Sequence, residues 1–253
     1  MEIGAQFYTL NQHCKTLDDF ALSLKKVADI GYKNVQISGT CAYEADWLKE
    51  QLDKNGLKCV LTHIDPKALT EETEKVARDH DVFNCDYIGS GWYGFMEDAE
   101  RHAYDGFVEM YKPVAKKMKE MGKYFMFHNH AREFQRVDGM PILEKIAQDF
   151  APDELGFILD TYWVQFAGGD PAAWIEKLSG RLPVIHLKDM TYHANGGRYA
   201  VIGEGNINFD RVFEKAEKAG TKYLVVEQDE CYGEDPFDCL KRSFNNLAAM
   251  GFR

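Results

Sequence analysis

A single α/β domain built as a (β/α)8 TIM barrel over residues 1–253 is predicted by three features of this chain: its length, a recurring helix-glycine-strand unit, and apolar runs that end in ionisable side chains. Its 253 residues match the roughly 250 typical of such barrels. No Ser-, Pro- or Gly-rich stretch divides it, so one continuous core is expected.

The unit appears four times. Ala28-Asp29-Ile30-Gly31 leads to Val35-Gln36-Ile37-Ser38, and Leu52-Asp53-Lys54-Asn55-Gly56 leads to Cys59-Val60-Leu61-Thr62-His63. Lys119-Glu120-Met121-Gly122 leads to Tyr124-Phe125-Met126-Phe127-His128, and Glu217-Lys218-Ala219-Gly220 to Tyr223-Leu224-Val225-Val226-Glu227. A helix closes well on a residue that tolerates left-handed backbone angles, which glycine does without a side-chain clash. At the other helix end, Thr16 before Leu17-Asp18-Asp19 offers a capping hydroxyl and early acids.

The strands read as apolar runs rather than alternations, as parallel strands covered on both faces do. They are expected near 3–8, 34–38, 58–63, 85–89, 124–130, 156–160, 183–187 and 223–228. Eight strands close a barrel, with a doubly wound open sheet as the alternative. Neither a G-x-G-x-x-G nor a G-x-x-x-x-G-K-[ST] loop is read after any strand, which disfavours the nucleotide-binding version of that sheet.

A formal net charge of -11 argues against nucleic acid as a partner, because phosphate neutralisation by Lys and Arg supplies most of that affinity. Met1-Glu2-Ile3-Gly4 begins no basic-then-apolar leader, and no apolar run nears the ~20 residues of a membrane helix. A cytoplasmic protein without a membrane partner is expected, and homo-oligomerisation is left open. Cys14, Cys41, Cys59, Cys85, Cys231 and Cys239 form no C-x-x-C pair and are read as reduced thiols.

In a barrel, catalytic groups gather where strands end. Here the strand ends offer Gln6 and Tyr8, Gln36, His63 and Asp65, His128-Asn129-His130, Asp160, His186 and Lys188, and Glu227 and Asp229. Side-chain alternation puts His128 and His130 on one face, and His186 and Lys188 on another. Asp160, His186 and Glu227 each follow an apolar run directly, where an unpaired charge is costly. A divalent cation held by one imidazole and two or more carboxylates would compensate them. Taken singly, each has a structural alternative: Asp160 as a helix cap, His186 as a core histidine, Glu227 as a partner of Lys188. His13, His80, His102 and His193 are read as solvent-facing. Trp92, Tyr93, Trp163 and Phe166 either line a sugar-binding pocket or roof the barrel.

On Leu159-Asp160-Thr161, His186-Leu187-Lys188-Asp189, Ile202-Gly203-Glu204-Gly205-Asn206-Ile207-Asn208-Phe209 and Val226-Glu227, the chain resembles the sugar phosphate isomerase/epimerase superfamily of xylose-isomerase-like barrels, which includes inosose dehydratases and ketose 3-epimerases. The resemblance implies metal ligands at Asp160, His186 and Glu227, with the Glu204 loop beside the site. Where the epimerases place a ligating glutamate on strand five, this chain has His128, and Glu133 is the alternative fourth ligand. The resemblance also takes in a DNA-repair endonuclease, which the acidic balance disfavours.

The expected metal is Mn2+, with Mg2+, Co2+ or Zn2+ as alternatives, acting on an unphosphorylated small sugar, keto-sugar or cyclitol through an enediolate. Glu227 and His130 or His128 are the expected acid and base, His63 and Lys188 the groups that orient hydroxyls or neutralise charge. Tyr8, Gln36, Trp92, Trp163 and Glu204 are the expected substrate contacts. Proton return gives an isomerase or epimerase, and loss of a β-substituent gives a dehydratase or lyase. A non-catalytic sugar-binding protein is the reading from another class.

Overall fold

The computed structural model describes residues 1–95, 101–194 and 196–252. Parallel strands Glu2–Gln6, Asn34–Ile37, Lys58–His63, Tyr87–Ser90, Tyr124–His128, Leu155–Asp160, Val184–Leu187 and Tyr223–Val226 follow one another around a closed barrel. Closure is made by the first strand, which pairs with the second (Gly4 to Asn34) and with the eighth (Glu2 to Tyr223). The glycine stops at 31, 56, 122 and 220 all have positive φ, as a helix end that turns into a strand requires. Thr16 accepts a hydrogen bond from Asp19 N at 3.2 Å and so caps the helix Leu17–Ile30.

Two apolar layers form. The larger lies between strands and helices, and a smaller one fills the lower barrel with Val60, Leu61, Met126, Ile158, Val184, Tyr223 and Val225. Alternation along the strands generates the site from this packing. Phe157 and Leu159 face the helices while Ile158 faces inward, so Asp160 also faces inward. Val184 then His186, and Val225 then Glu227, repeat the pattern, as do Met126 and His128. The barrel interior is thus apolar below and ionisable at its carboxyl-end mouth.

Three segments depart from the expected pattern. The first strand stops at Gln6 because Phe7–His13 turns into a 3-10 helix, with Gln6 Oε1 accepting from Tyr8 N at 2.6 Å. The fifth stops at His128, and the Asn129 side chain takes over its pairing by accepting from Asp160 N at 3.1 Å. Beyond the seventh strand an antiparallel ribbon, Asp189–His193 with Gly196–Ala200, stands over the mouth where helix was expected.

Two sequence expectations are corrected. Gly89-Ser90-Gly91-Trp92-Tyr93-Gly94 does have the G-x-G-x-x-G spacing, at the end of strand four. Its first glycines serve packing: a Cβ on Gly89 would lie 2.9 Å from Thr62 O, and one on Gly91 2.9 Å from His63 Nδ1. His80 is buried rather than solvent-facing. It is 2% exposed, bonded to Thr62 Oγ1 and Val76 O at 2.7 Å each, and packed on Phe83, because its helix turns that face toward strand three. His13, His102 and His193 are exposed.

The loop after the ribbon is organised by Asp189. Its carboxylate accepts from Met190 N, Gly203 N, Gly205 N and Ile207 N at 2.8–3.3 Å. Gly205 is required by closeness, since a Cβ there would lie 2.3 Å from Asp189 Oδ1.

Burial pushes the His80 imidazole down to about 4. Because the unfolded ring binds a proton near 6.5 and the folded one does not, its contribution is lost as the pH falls from 6.5 toward 4. Urea unfolding is expected to show about 2–3 kcal/mol less stability at pH 4.5 than at pH 7 from this group, a slope that His80→Phe removes. Gly205→Ala should cost about 2 kcal/mol in the same assay, with the urea midpoint lowered and the m-value unchanged.

Candidate active site and metal centre

His128, Asp160 and His186, from strands five, six and seven, and Glu227, the residue after the eighth, are all buried and place ligand atoms within 4.8 Å of one another. Each is fixed by a neighbour. His128 Nδ1 donates to Gly91 O at 3.1 Å, which directs Nε2 toward Asp160 Oδ2 at 3.3 Å. His186 Nε2 donates to Gln36 Oε1 at 2.6 Å, and its Nδ1 lies 2.8 Å from Glu227 Oε2. Glu227 Oε1 accepts from Gln6 Nε2 at 2.8 Å, and Asp160 Oδ1 caps the helix Thr161–Phe166 through Trp163 N at 3.0 Å.

These contacts are a fit test for a metal. Burial holds the His186 pKa down, which favours the neutral ring, and Gln36 Oε1 can only accept, which puts the hydrogen of that neutral ring on Nε2. Its Nδ1 lone pair therefore confronts a carboxylate oxygen at 2.8 Å, and neither atom has a hydrogen-bond partner. A cation between them turns this repulsion into two bonds. Metal-ligating histidines characteristically give their far nitrogen to such an orienting partner. Both histidines here do so. The residues present fit a divalent metal bound by two imidazoles and two carboxylates.

Charge in the site is arranged around Lys188, which is 1% exposed. Its Nζ lies 3.2 Å from Asp160 Oδ2, 3.2 Å from Glu227 Oε2 and 2.8 Å from Asp229 Oδ1. Burial alone would raise both ligand carboxyls, but the ammonium outweighs it and holds Asp160 below, and Glu227 well below, the usual range. Burial would likewise lower Lys188, yet the three carboxylates push it well above the usual lysine value. Burial and then the Glu227 charge raise Asp229 to about 6. His130 is pushed down to about 3 by burial and by His128, while His63 is held well below its usual value by burial and by the His128 and His186 imidazoles. His128 moves the other way, because the Asp160 carboxylate outweighs its burial.

The cluster opens into a cavity of about 470 Å3 whose walls include Tyr8, His63, Trp92, His130, Lys188 and Asp229. His63 bonds Ser38 Oγ through Nδ1 at 3.2 Å, and its ring centroid lies 5.4 Å from that of His128. His130 stands edge-on to His128 at 4.7 Å and packs on Trp163 at 5.3 Å.

Three expected residues serve other roles. Gln36 is fully buried and orients His186, because strand alternation turns it into the barrel at the level of the cluster. Glu204 points to the outer surface, where its carboxylate holds Arg242 at 2.8–3.0 Å, since Asp189 anchors its loop beside the last helix. Glu133 is outside the ligand cluster: its Oε2 accepts from His130 N at 2.7 Å, and burial raises it to about 7. Trp92 lines the cavity and is 60% exposed, whereas Trp163 packs behind His130 and Lys188. Phe166, also exposed, stacks on Tyr162. Asp229, Gln6 and Gly91 matter more than sequence reading assigned. Asp229 had a signal, two residues beyond Glu227 on the same face; a backbone carbonyl has none.

The chain belongs to the Xylose isomerase-like TIM barrel family, whose profile matches residues 24–243. Among curated proteins it is 26% identical over 163 residues to the rhizopine catabolism protein MocC of Rhizobium meliloti, covering 55% of this chain and 49% of that one. It is 25% identical over 133 residues to an inosose dehydratase of Bacillus cereus (strain AH820), covering 46% and 44%. The matched stretches thus span about half the length of these relatives. A sugar phosphate isomerase/epimerase from Parabacteroides distasonis ATCC 8503 shares the fold, with a TM-score of 0.83 at 24% identity over 98% of this chain and 97% of that one. Among the described residues, no helix is long and apolar enough to cross a membrane.

Gln36→Leu removes the partner of His186 without touching a ligand. Calorimetric titration with Mn2+ is expected to show about 10–100-fold weaker binding. Unchanged affinity would mean that His186 does not ligate through Nδ1.

Proposed function

We propose that the chain is a divalent-metal-dependent enzyme that removes the proton beside a carbonyl of a small sugar, keto-sugar or cyclitol and returns it as an isomerase or epimerase does, through an enediolate. The observation that supports this most directly is a four-ligand cluster opening into a cavity of about 470 Å3 with proton-carrying groups on two sides. The bound metal would polarise the carbonyl and its neighbouring hydroxyl, with Mn2+ suited to the mixed imidazole and carboxylate set and Mg2+, Co2+ or Zn2+ as alternatives.

On one side stand Glu227 and Asp229. Glu227 is both ligand and acceptor, and Asp229, at about 6, exchanges protons near neutral pH. On the other, His130 and His63 are neutral imidazoles that accept hydrogen bonds from hydroxyls or relay the proton. The Lys188 ammonium faces the cavity and donates to an oxygen that gains negative charge. Tyr8 and Trp92, 42% and 60% exposed, offer ring faces at the mouth. The inosose dehydratase and the sugar phosphate isomerase/epimerase among the similar proteins support the substrate class. A cytoplasmic enzyme of small molecules, with no nucleic-acid or membrane partner, completes this reading.

A second reading, elimination of water or an aglycone by the same proton removal, is favoured by one observation. Strand five ends in His128 where the resemblance implies a glutamate in the epimerases, and His130 packs edge-on beside it, which supports a role for His130 toward a leaving hydroxyl.

Incubation of the Mn2+-loaded protein with keto-sugars and inososes in deuterated water, followed by NMR, separates these. Deuterium next to the carbonyl in recovered sugar marks the isomerase or epimerase, and loss of water or aglycone marks the lyase. Asp160→Ala is expected to lower either rate about 10^3-fold, roughly 4 kcal/mol of barrier. No exchange and no elimination on any of these substrates overturns the proposal.

A further inference from the structure

Asp160 Oδ2 and Glu227 Oε2 lie 3.3 and 2.8 Å from a histidine nitrogen, His128 Nε2 and His186 Nδ1 respectively, and each also lies 3.2 Å from Lys188 Nζ. The lysine therefore holds the oxygens that a metal would take. Asp160 and Glu227 are 0% and 4% exposed, and among the described residues Lys188 is the one cation within 3.2 Å of both of them. A third carboxylate, Asp229, is within 2.8 Å of Nζ, lines the cavity and is 21% exposed. Ring faces of Trp163 and Tyr199 lie 5.5 and 5.4 Å from Nζ on the same side chain's path.

We propose that Lys188 is the stand-in cation of the metal-free protein and that Asp229 receives it when the metal binds. This rests on the metal-dependent reading above. A dication and an ammonium repel each other and compete for the same lone pairs. The four-carbon lysine stem lets the ammonium turn fully toward Asp229 and the two rings while its backbone stays held by Thr161 Oγ1, which accepts from Lys188 N at 3.0 Å. Metal uptake and lysine transfer are then one linked step. Asp229 governs metal affinity through the lysine, without touching the metal.

The test is a double-mutant cycle on the full chain after chelator treatment, with Lys188→Met, Asp229→Asn and the pair, read by calorimetric Mn2+ titration and by thermal midpoints with and without Mn2+. Lys188→Met is expected to lower the metal-free midpoint by several degrees, to recover the loaded parent's midpoint with Mn2+, and to bind Mn2+ about tenfold more tightly. Asp229→Asn is expected to weaken binding about tenfold when Lys188 is present and to change nothing when it is Met. Additive effects overturn the proposal, because Asp229 then acts as a through-space charge. So does a metal-free Lys188→Met midpoint equal to the parent's. If Lys188→Met folds only in the presence of Mn2+, the stand-in role is supported; if it folds in neither state, the role is refuted. A parent that binds no Mn2+ overturns the underlying metal reading instead.

Discussion

Two carboxylates, Asp160 and Glu227, stand at the ends of inward-facing strands with almost no contact with water. Removing one partner of a buried ion pair typically costs about 3–5 kcal/mol, so a chain that buries two carboxylates must supply their compensation from its own side chains or from a ligand. The mouth of this barrel is organised by that requirement. Lys188 reaches both, Gln6 donates to one, and the amide of Trp163 donates to the other. The two histidines are turned so that His128 Nε2 faces Asp160 and His186 Nδ1 faces Glu227.

The support extends outward in layers. Thr161 Oγ1 donates to Lys188 O at 2.9 Å and accepts from its amide, which locks the lysine backbone to the end of strand six. The next residue, Asp189, collects the amides of the loop through Ile207, and Arg242 ties Glu204 and Glu234 to the last helix. The sequence block His186-Leu187-Lys188-Asp189 thus joins four roles in consecutive residues: ligand, core, cation and loop anchor. The glycines of the Gly203-Glu204-Gly205 loop answer to the last of these, and Glu204 itself turns away from the cavity.

The barrel and the four-ligand cluster were legible in the chain because both follow from short-range rules. Glycine stops divide helix from strand, and alternation places Asp160, His186 and Glu227 inward once their strands are known. His128 could be named, but choosing between it and Glu133 needed the turn at Ala131, which sends the Glu133 carboxylate back to the His130 amide. Gln36 is read as a substrate contact, whereas its side chain crosses the barrel to His186, 150 positions away, a pairing that strand alternation alone does not reveal. His80, read as solvent-facing, is buried for a related reason. Its helix packs a polar side chain against Thr62, and a hydrogen bond between two elements leaves no periodic trace in the sequence.

All four candidate ligands come from residues 128–227, whereas three of the groups that aim them, Gln6, Gln36 and the carbonyl of Gly91, come from residues 6–91, and the Trp163 amide aims Asp160. The two halves of the barrel therefore contribute differently: one carries the charged cluster, and the other supplies the neutral dipoles that direct both histidines and Glu227. A half-barrel holding every ligand would present its imidazoles in unselected tautomers, and the other half would have nothing to orient. Recombining or shuffling halves between related barrels has to keep this pairing across the seam, so the first four strands belong to the candidate metal site even though none of its four clustered side chains comes from them.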